Sequence, residues 1–111
     1  MPLDDIAQEF VNRVLPNLKE KYHPVEVWLW GSHVYGHPHE YSDLDVIVVS
    51  EDFRGERFID RQVRLVNELD LFYDDVIGVV DPICYTPEEF EKKKNRVCVI
   101  QEALKKGVRV L

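Results

Sequence analysis

Two short apolar runs, Val25–Trp30 and Leu44–Val49, restrict what this chain can fold into more than any other feature of it. Both are rich in β-branched and aromatic residues and too short for an amphipathic helix, so both read as strands. Polar residues suited to chemistry stand where each run meets the loop between them. Gly31 and Ser32 close the first run, and Asp43-Leu44-Asp45 opens the second.

Glycine after a strand lets the backbone turn sharply and a ligand come close, while the Ser32 hydroxyl and nearby backbone N–H groups can face an anion. A helical turn starting at His33–Tyr35 would add its positive end to that attraction. By itself a Gly-Ser pair is ordinary turn chemistry. The acids that follow change its meaning. Alternate strand residues share a face, so Asp43 and Asp45 project to one side about 7 Å apart. Carboxylates that close repel unless a divalent cation sits between them, and hard oxygen donors suit Mg²⁺, which shares its shell with substrate phosphates. Taken alone, the pair also reads as two solvated acids at a strand start.

The 111 residues are enough for one domain, 1–111, burying roughly two-thirds of its unfolded surface. A net charge of −7, with no stretch that combines clustered Lys/Arg with aromatics, excludes a broad electrostatic grip on nucleic acid. Apolar residues come in interrupted runs too short to cross a bilayer, and Met1-Pro2-Leu3-Asp4 does not open a signal peptide, so the expectation is a cytoplasmic protein without a membrane partner. Cys84 on a predicted strand and Cys98 on a predicted helix read as buried free thiols.

Along the chain, Asp4 and Asp5 precede Ile6, Phe10, Val14, Leu15 and Leu18 at helical spacing; Pro16 should kink that helix or end it early. In the first strand Val25, Val27 and Leu29 point one way and Trp28 and Trp30 the other, so both sheet faces carry apolar groups. A domain this small is expected to leave part of one face for a homodimer or a tight partner. The loop histidines His33, His37 and His39 read as solvated, because Gly36 and Pro38 break any chelating turn. Arg57–Leu71 reads as an amphipathic helix packing through Ile59, Val63, Val66 and Leu69, with Arg57, Arg61 and Arg64 as a solvated stripe pairing with acids such as Asp60 and Glu68. Ile77–Tyr85 reads as a third strand containing Asp81. An acid among Val79, Val80 and Ile83 is costly unless paired with a cation. Asp74 and Asp75 compete with it, but they precede the apolar run, and Gly78 between them and Asp81 suggests a bend or bulge, so they are assigned to the loop. Thr86-Pro87-Glu88-Glu89 is a capping box with proline at the first helical position. The helix it starts shows a break near Lys94-Asn95. Gly107 is a candidate C-cap, with a short edge strand over Val108–Leu111.

Gly31-Ser32, Asp43-x-Asp45 running into Val46-Ile47-Val48-Val49, and the Thr86–Phe90 segment after the third strand together resemble the nucleotidyltransferase superfamily typified by DNA polymerase β. The resemblance is greatest to its small stand-alone members, the minimal nucleotidyltransferases. It implies an α/β fold, a mixed β-sheet with helices mainly on one face. It also implies a carboxylate triad of Asp43, Asp45 and Asp81 holding Mg²⁺ or Mn²⁺, with Gly31 and Ser32 on the nucleotide phosphates. These relatives commonly carry Arg where this chain has His33 and Tyr35, so phosphate charge falls here to the metal, the backbone and a protonated histidine.

The expected reaction is transfer of AMP from ATP to a hydroxyl acceptor on a partner protein. The resemblance points to a small helical partner of the HEPN type, as in HEPN/MNT toxin–antitoxin pairs. Two other classes fit the same residues. One is a non-catalytic antitoxin or binding module that keeps the fold, favoured by the missing loop arginines. The other is a small-molecule, aminoglycoside-type nucleotidyltransferase, whose cationic substrate would suit an acidic surface but would lack a second domain to close over it.

Overall fold

The computed structural model describes residues 5–30, 44–69, 80–96, 100–101, 104–105 and 107–111. Its centre is a four-stranded mixed sheet in the order β3-β2-β1-β4, made of β1 (Pro24–Trp30), β2 (Leu44–Ser50), β3 (Val80–Tyr85) and β4 (Val108–Arg109). β1 runs antiparallel to β2 and β4, and β2 runs parallel to β3. A parallel pair needs a crossover, and α3 (Phe58–Glu68) lies in the chain between β2 and β3.

Helical backbone runs without a break from Asp5 to Lys21, as α1 (Asp5–Glu9), a π-helical turn (Phe10–Val14) and α2 (Leu15–Lys21). Pro16 therefore does not end the helix. It has no N–H to close an ordinary turn, and the backbone widens just before it, with the Leu15 N–H bonding to the Phe10 carbonyl. Phe10, Val14, Leu15 and Leu18 keep their inward face and pack with Val27, Leu29, Val46, Val48, Phe53 and Leu65 in the larger core.

The other sheet face carries Ile47, Val49 and Tyr85, covered by Phe90 of α4 (Pro87–Lys94) and by Ile100, with Trp28, Trp30, Ile83 and Leu104 partly buried against them. The two tryptophans do point opposite to Val27 and Leu29. They are not left bare, however, because the chain's own C-terminal segment reaches that face. Among the described residues the large exposed apolar side chains are Val25 at the start of β1 and Phe58, Ile59 and Val63 on the outer side of α3. Val66 and Leu69 face the core as expected, but Ile59 and Val63 are 60% and 53% exposed, and Arg61 and Leu65 are buried in their place. Arg61 has turned the helix, since its guanidinium finds a partner on α4 and takes the inward stripe with it.

That partner is Glu89. Arg61 donates to its carboxylate at 2.5 and 3.2 Å, to the Glu56 carbonyl at 3.0 Å and to the Cys84 carbonyl at 3.3 Å. Glu89 also closes the expected capping box, accepting from the Thr86 N–H while the Thr86 hydroxyl accepts from the Glu89 N–H. One carboxylate thus starts α4 and ties α3 to the end of β3. Of the predicted stripe only Arg57 behaves as a solvated pair, with Asp60 at 2.8 Å. Arg64 pairs with Glu56 and lies over the Tyr22 ring, 5.0 Å from its centroid. α4 ends at Lys94, where the sequence suggested a break, and β4 adds the short edge strand to β1.

Candidate active site

The antiparallel ladder sets Trp30, the last residue of β1, opposite Asp45, near the start of β2. The parallel ladder sets Asp45 beside Asp81. Neighbouring strands lie about 4.8 Å apart, so three positions far apart in sequence form one row across the end of the sheet. Alternation puts position 45 on the face of Ile47 and Val49, position 81 on that of Ile83 and Tyr85, and Trp30 on that of Trp28. The row therefore belongs to the smaller core, at the sheet end away from Ser50 and Tyr85.

Gly31 and Ser32 follow Trp30 directly in the chain, and Asp43 precedes Asp45 by two residues. These three, together with Asp74, Asp75, Cys98 and the loop histidines His33, His37 and His39, lie outside the described residues, as does the side chain of Asp81. Among the described residues no group of three or more His, Cys, Asp or Glu assembles. The two positions paired in register are both aspartates, of which the described side chain, Asp45, is half-buried. A buried N–H at Trp30 that finds no acceptor among the described residues stands in the same row.

Two titratable groups near the end of β3 read as structural. Burial pushes the Cys84 thiol up to about 12, so it stays protonated and is a poor nucleophile or metal ligand. The hydrogen bond from Arg61, reinforced by those from Thr86, holds the Glu89 carboxyl down at about 2. Sequence reasoning missed the Arg61–Glu89 link. Its only trace was a positional one, since Arg61 lies one helical turn before Leu65 and Glu89 sits at the third residue of a capped helix.

A mixed sheet in which β2 pairs antiparallel with β1 and parallel with β3, with a helix in the crossover between β2 and β3, defines an α/β domain. The chain belongs to the nucleotidyltransferase domain family, whose model matches residues 11–110. In fold it is similar to a structure described as a toxin–antitoxin with AMP-PNP (TM-score 0.58, 19% identity, covering 91% of this chain and 72% of that one). It is likewise similar to a Sulfolobus solfataricus protein proposed to be a nucleotidyltransferase (0.51, 22%, 98% and 89%). BolA1 from Arabidopsis thaliana is similar over a smaller part (0.57, 23%, 71% of this chain and 93% of that one). No curated protein matches the sequence significantly. Among the described residues no helix is long and apolar enough to cross a membrane.

Proposed function

We propose that this protein transfers AMP from ATP to a hydroxyl on a partner protein, as the antitoxin of a toxin–antitoxin pair, in a cytoplasmic setting where ATP is available. The observation that carries the reading is the register that sets Asp45 beside Asp81 at the end of β1, in a chain of the nucleotidyltransferase family. The acceptor oxygen forms a bond to the α-phosphorus of ATP as the bond from that phosphorus to the bridging oxygen breaks, and pyrophosphate leaves with the electron pair. The hydroxyl proton passes to Asp81, while Gly31 and Ser32 hold the terminal phosphates. Asp43, Asp45 and Asp81 would hold Mg²⁺ or Mn²⁺, which supplies charge stabilisation at the attacking and leaving oxygens.

A docked protein acceptor would supply the binding energy that orients its own hydroxyl. Phe58, Ile59 and Val63 also form an exposed apolar strip on α3, suited to a small helical protein of the HEPN type or to a second copy of this chain. The AMP-PNP-bound toxin–antitoxin of similar fold supports the choice of an adenine nucleotide and of a partner.

Calorimetry should show ATP binding only with Mg²⁺ or Mn²⁺, and Asp45→Asn should weaken it at least tenfold. Incubation with ATP, Mg²⁺ and the product of the neighbouring gene should add one AMP to that product by intact mass. An unmodified partner that wild type and Asp43→Ala neutralise equally well would mean that binding alone is the function.

A further inference from the structure

Trp28 and Trp30 lie two residues apart on one face of β1, both packed against the smaller core. Their indole N–H groups are treated differently. Trp28 donates to Glu26 Oε1 at 3.2 Å. Trp30 Nε1 is sealed from water and finds no acceptor among the described residues. A dry, unpartnered donor costs about as much as a lost hydrogen bond, and native structures keep few of them. Phenylalanine at this position would fill the same apolar space without that cost.

The cross-strand neighbour of Trp30 is Asp45, and facing residues in an antiparallel pair have Cβ atoms about 5 Å apart, within reach of an indole. We propose that Trp30 is a positioning residue for the metal site: its indole N–H donates to the Asp45 carboxylate in the metal-loaded state and fixes the orientation in which that carboxylate meets the cation. The inference rests on the site assignment above. A carboxylate that ligates a metal keeps lone pairs free, and a donor that engages one of them holds the other oxygen toward the ion. An indole suits the task better than Arg or Lys would. It orients the acid without neutralising it and without repelling a divalent cation. The open donor is then completed only when the site is filled.

The test uses the full chain with Mn²⁺ as the probe, its binding followed by electron paramagnetic resonance in the presence of ATP. Trp30→Phe should weaken Mn²⁺ binding roughly 10–100-fold, the usual effect of losing such a partner, and should leave the urea midpoint unchanged or higher. Trp28→Phe should bind Mn²⁺ within about twofold of wild type, since its hydrogen bond lies elsewhere. In that variant Trp30 is the remaining tryptophan, and its fluorescence should be quenched by the paramagnetic ion. If Asp45→Asn abolishes Mn²⁺ binding while Trp30→Phe leaves it intact, the positioning role is overturned and the site assignment stands. A Trp30→Phe protein that loses Mn²⁺ affinity and urea midpoint together shows a packing role only, which also overturns the proposal. Mn²⁺ binding by wild type that does not depend on Asp45 overturns the site assignment, and this inference falls with it.

Discussion

The two ends of the β1–β2 ladder are built on opposite principles. At the Pro24–Ser50 end Ser50, His23 and Asp52 bond to one another. The fully buried Ser50 hydroxyl donates to the His23 carbonyl at 3.3 Å and accepts from the Asp52 N–H at 3.1 Å, and Asp52 accepts from the His23 N–H at 2.7 Å. The same end of β3 leads into the Thr86–Glu89 cap and the Arg61–Glu89 pair. At the Trp30–Asp45 end stand two acids at paired register and an indole N–H without an acceptor among the described residues. A ladder closed by this hydrogen-bonded network at one end can hold an indole N–H unpartnered among the described residues at the other. Such incompleteness is where ligand chemistry is expected.

The contrast breaks most severely if the ladder itself is damaged. Leu29→Ala, next to Trp30 in β1 and fully buried in the larger core, should cost about 3–4 kcal/mol in urea unfolding. Both ends should then fail together, with nucleotide binding lost along with the fold. A loss of binding without loss of stability would show that the two ends are not coupled through the strand.

Removing the brace at the closed end comes next. Glu89→Ala leaves the buried Arg61 without its anion and should cost on the order of 2–3 kcal/mol, below the value for a fully buried pair because the Glu89 side chain is 42% exposed. The pH dependence sharpens this. The Glu89 carboxyl is held at about 2 in the folded protein against an ordinary value of 4.5. Its contribution to stability is therefore complete above about pH 4.5 and is lost as pH falls toward about 2. The difference in unfolding free energy between wild type and Glu89→Gln should shrink through that window and be flat above it. A difference that grows on acidification would contradict the assignment.

The smallest expected effect separates the ends most cleanly. Ser50→Ala should cost on the order of 1 kcal/mol through its two hydrogen bonds while leaving Mn²⁺ and ATP affinity unchanged. Asp45→Asn should do the reverse. Exchange of these two outcomes would dissolve the distinction between a structural and a functional end.

Much of this organisation was legible in local sequence. The strands appear where β-branched and aromatic runs predicted them, the Thr86–Glu89 box starts its helix, and β4 forms after Gly107. Two departures share one cause. Pro16 was expected to kink its helix or end it early, and a π-helical turn carries the helix through it, while Ile59 and Val63 were expected inside a helix that buries Arg61. Local rules count proline as a breaker and arginine as a surface residue, whereas the core above the first helix and the carboxylate on α4 override both.

By itself the sequence determined the residue types and their spacing: glycine and serine after one strand, aspartates at alternate positions opening the next, and another aspartate in the third. These follow from interactions within a few residues, which side-chain pattern and turn chemistry report directly. Only the tertiary structure decided that Asp45 stands beside Asp81 and across from Trp30, with the indole of Trp28 satisfied and that of Trp30 not. The register of a parallel pair joined by a crossover, and the partner of a single buried N–H, depend on how distant elements bury their apolar faces together. No local pattern encodes that outcome.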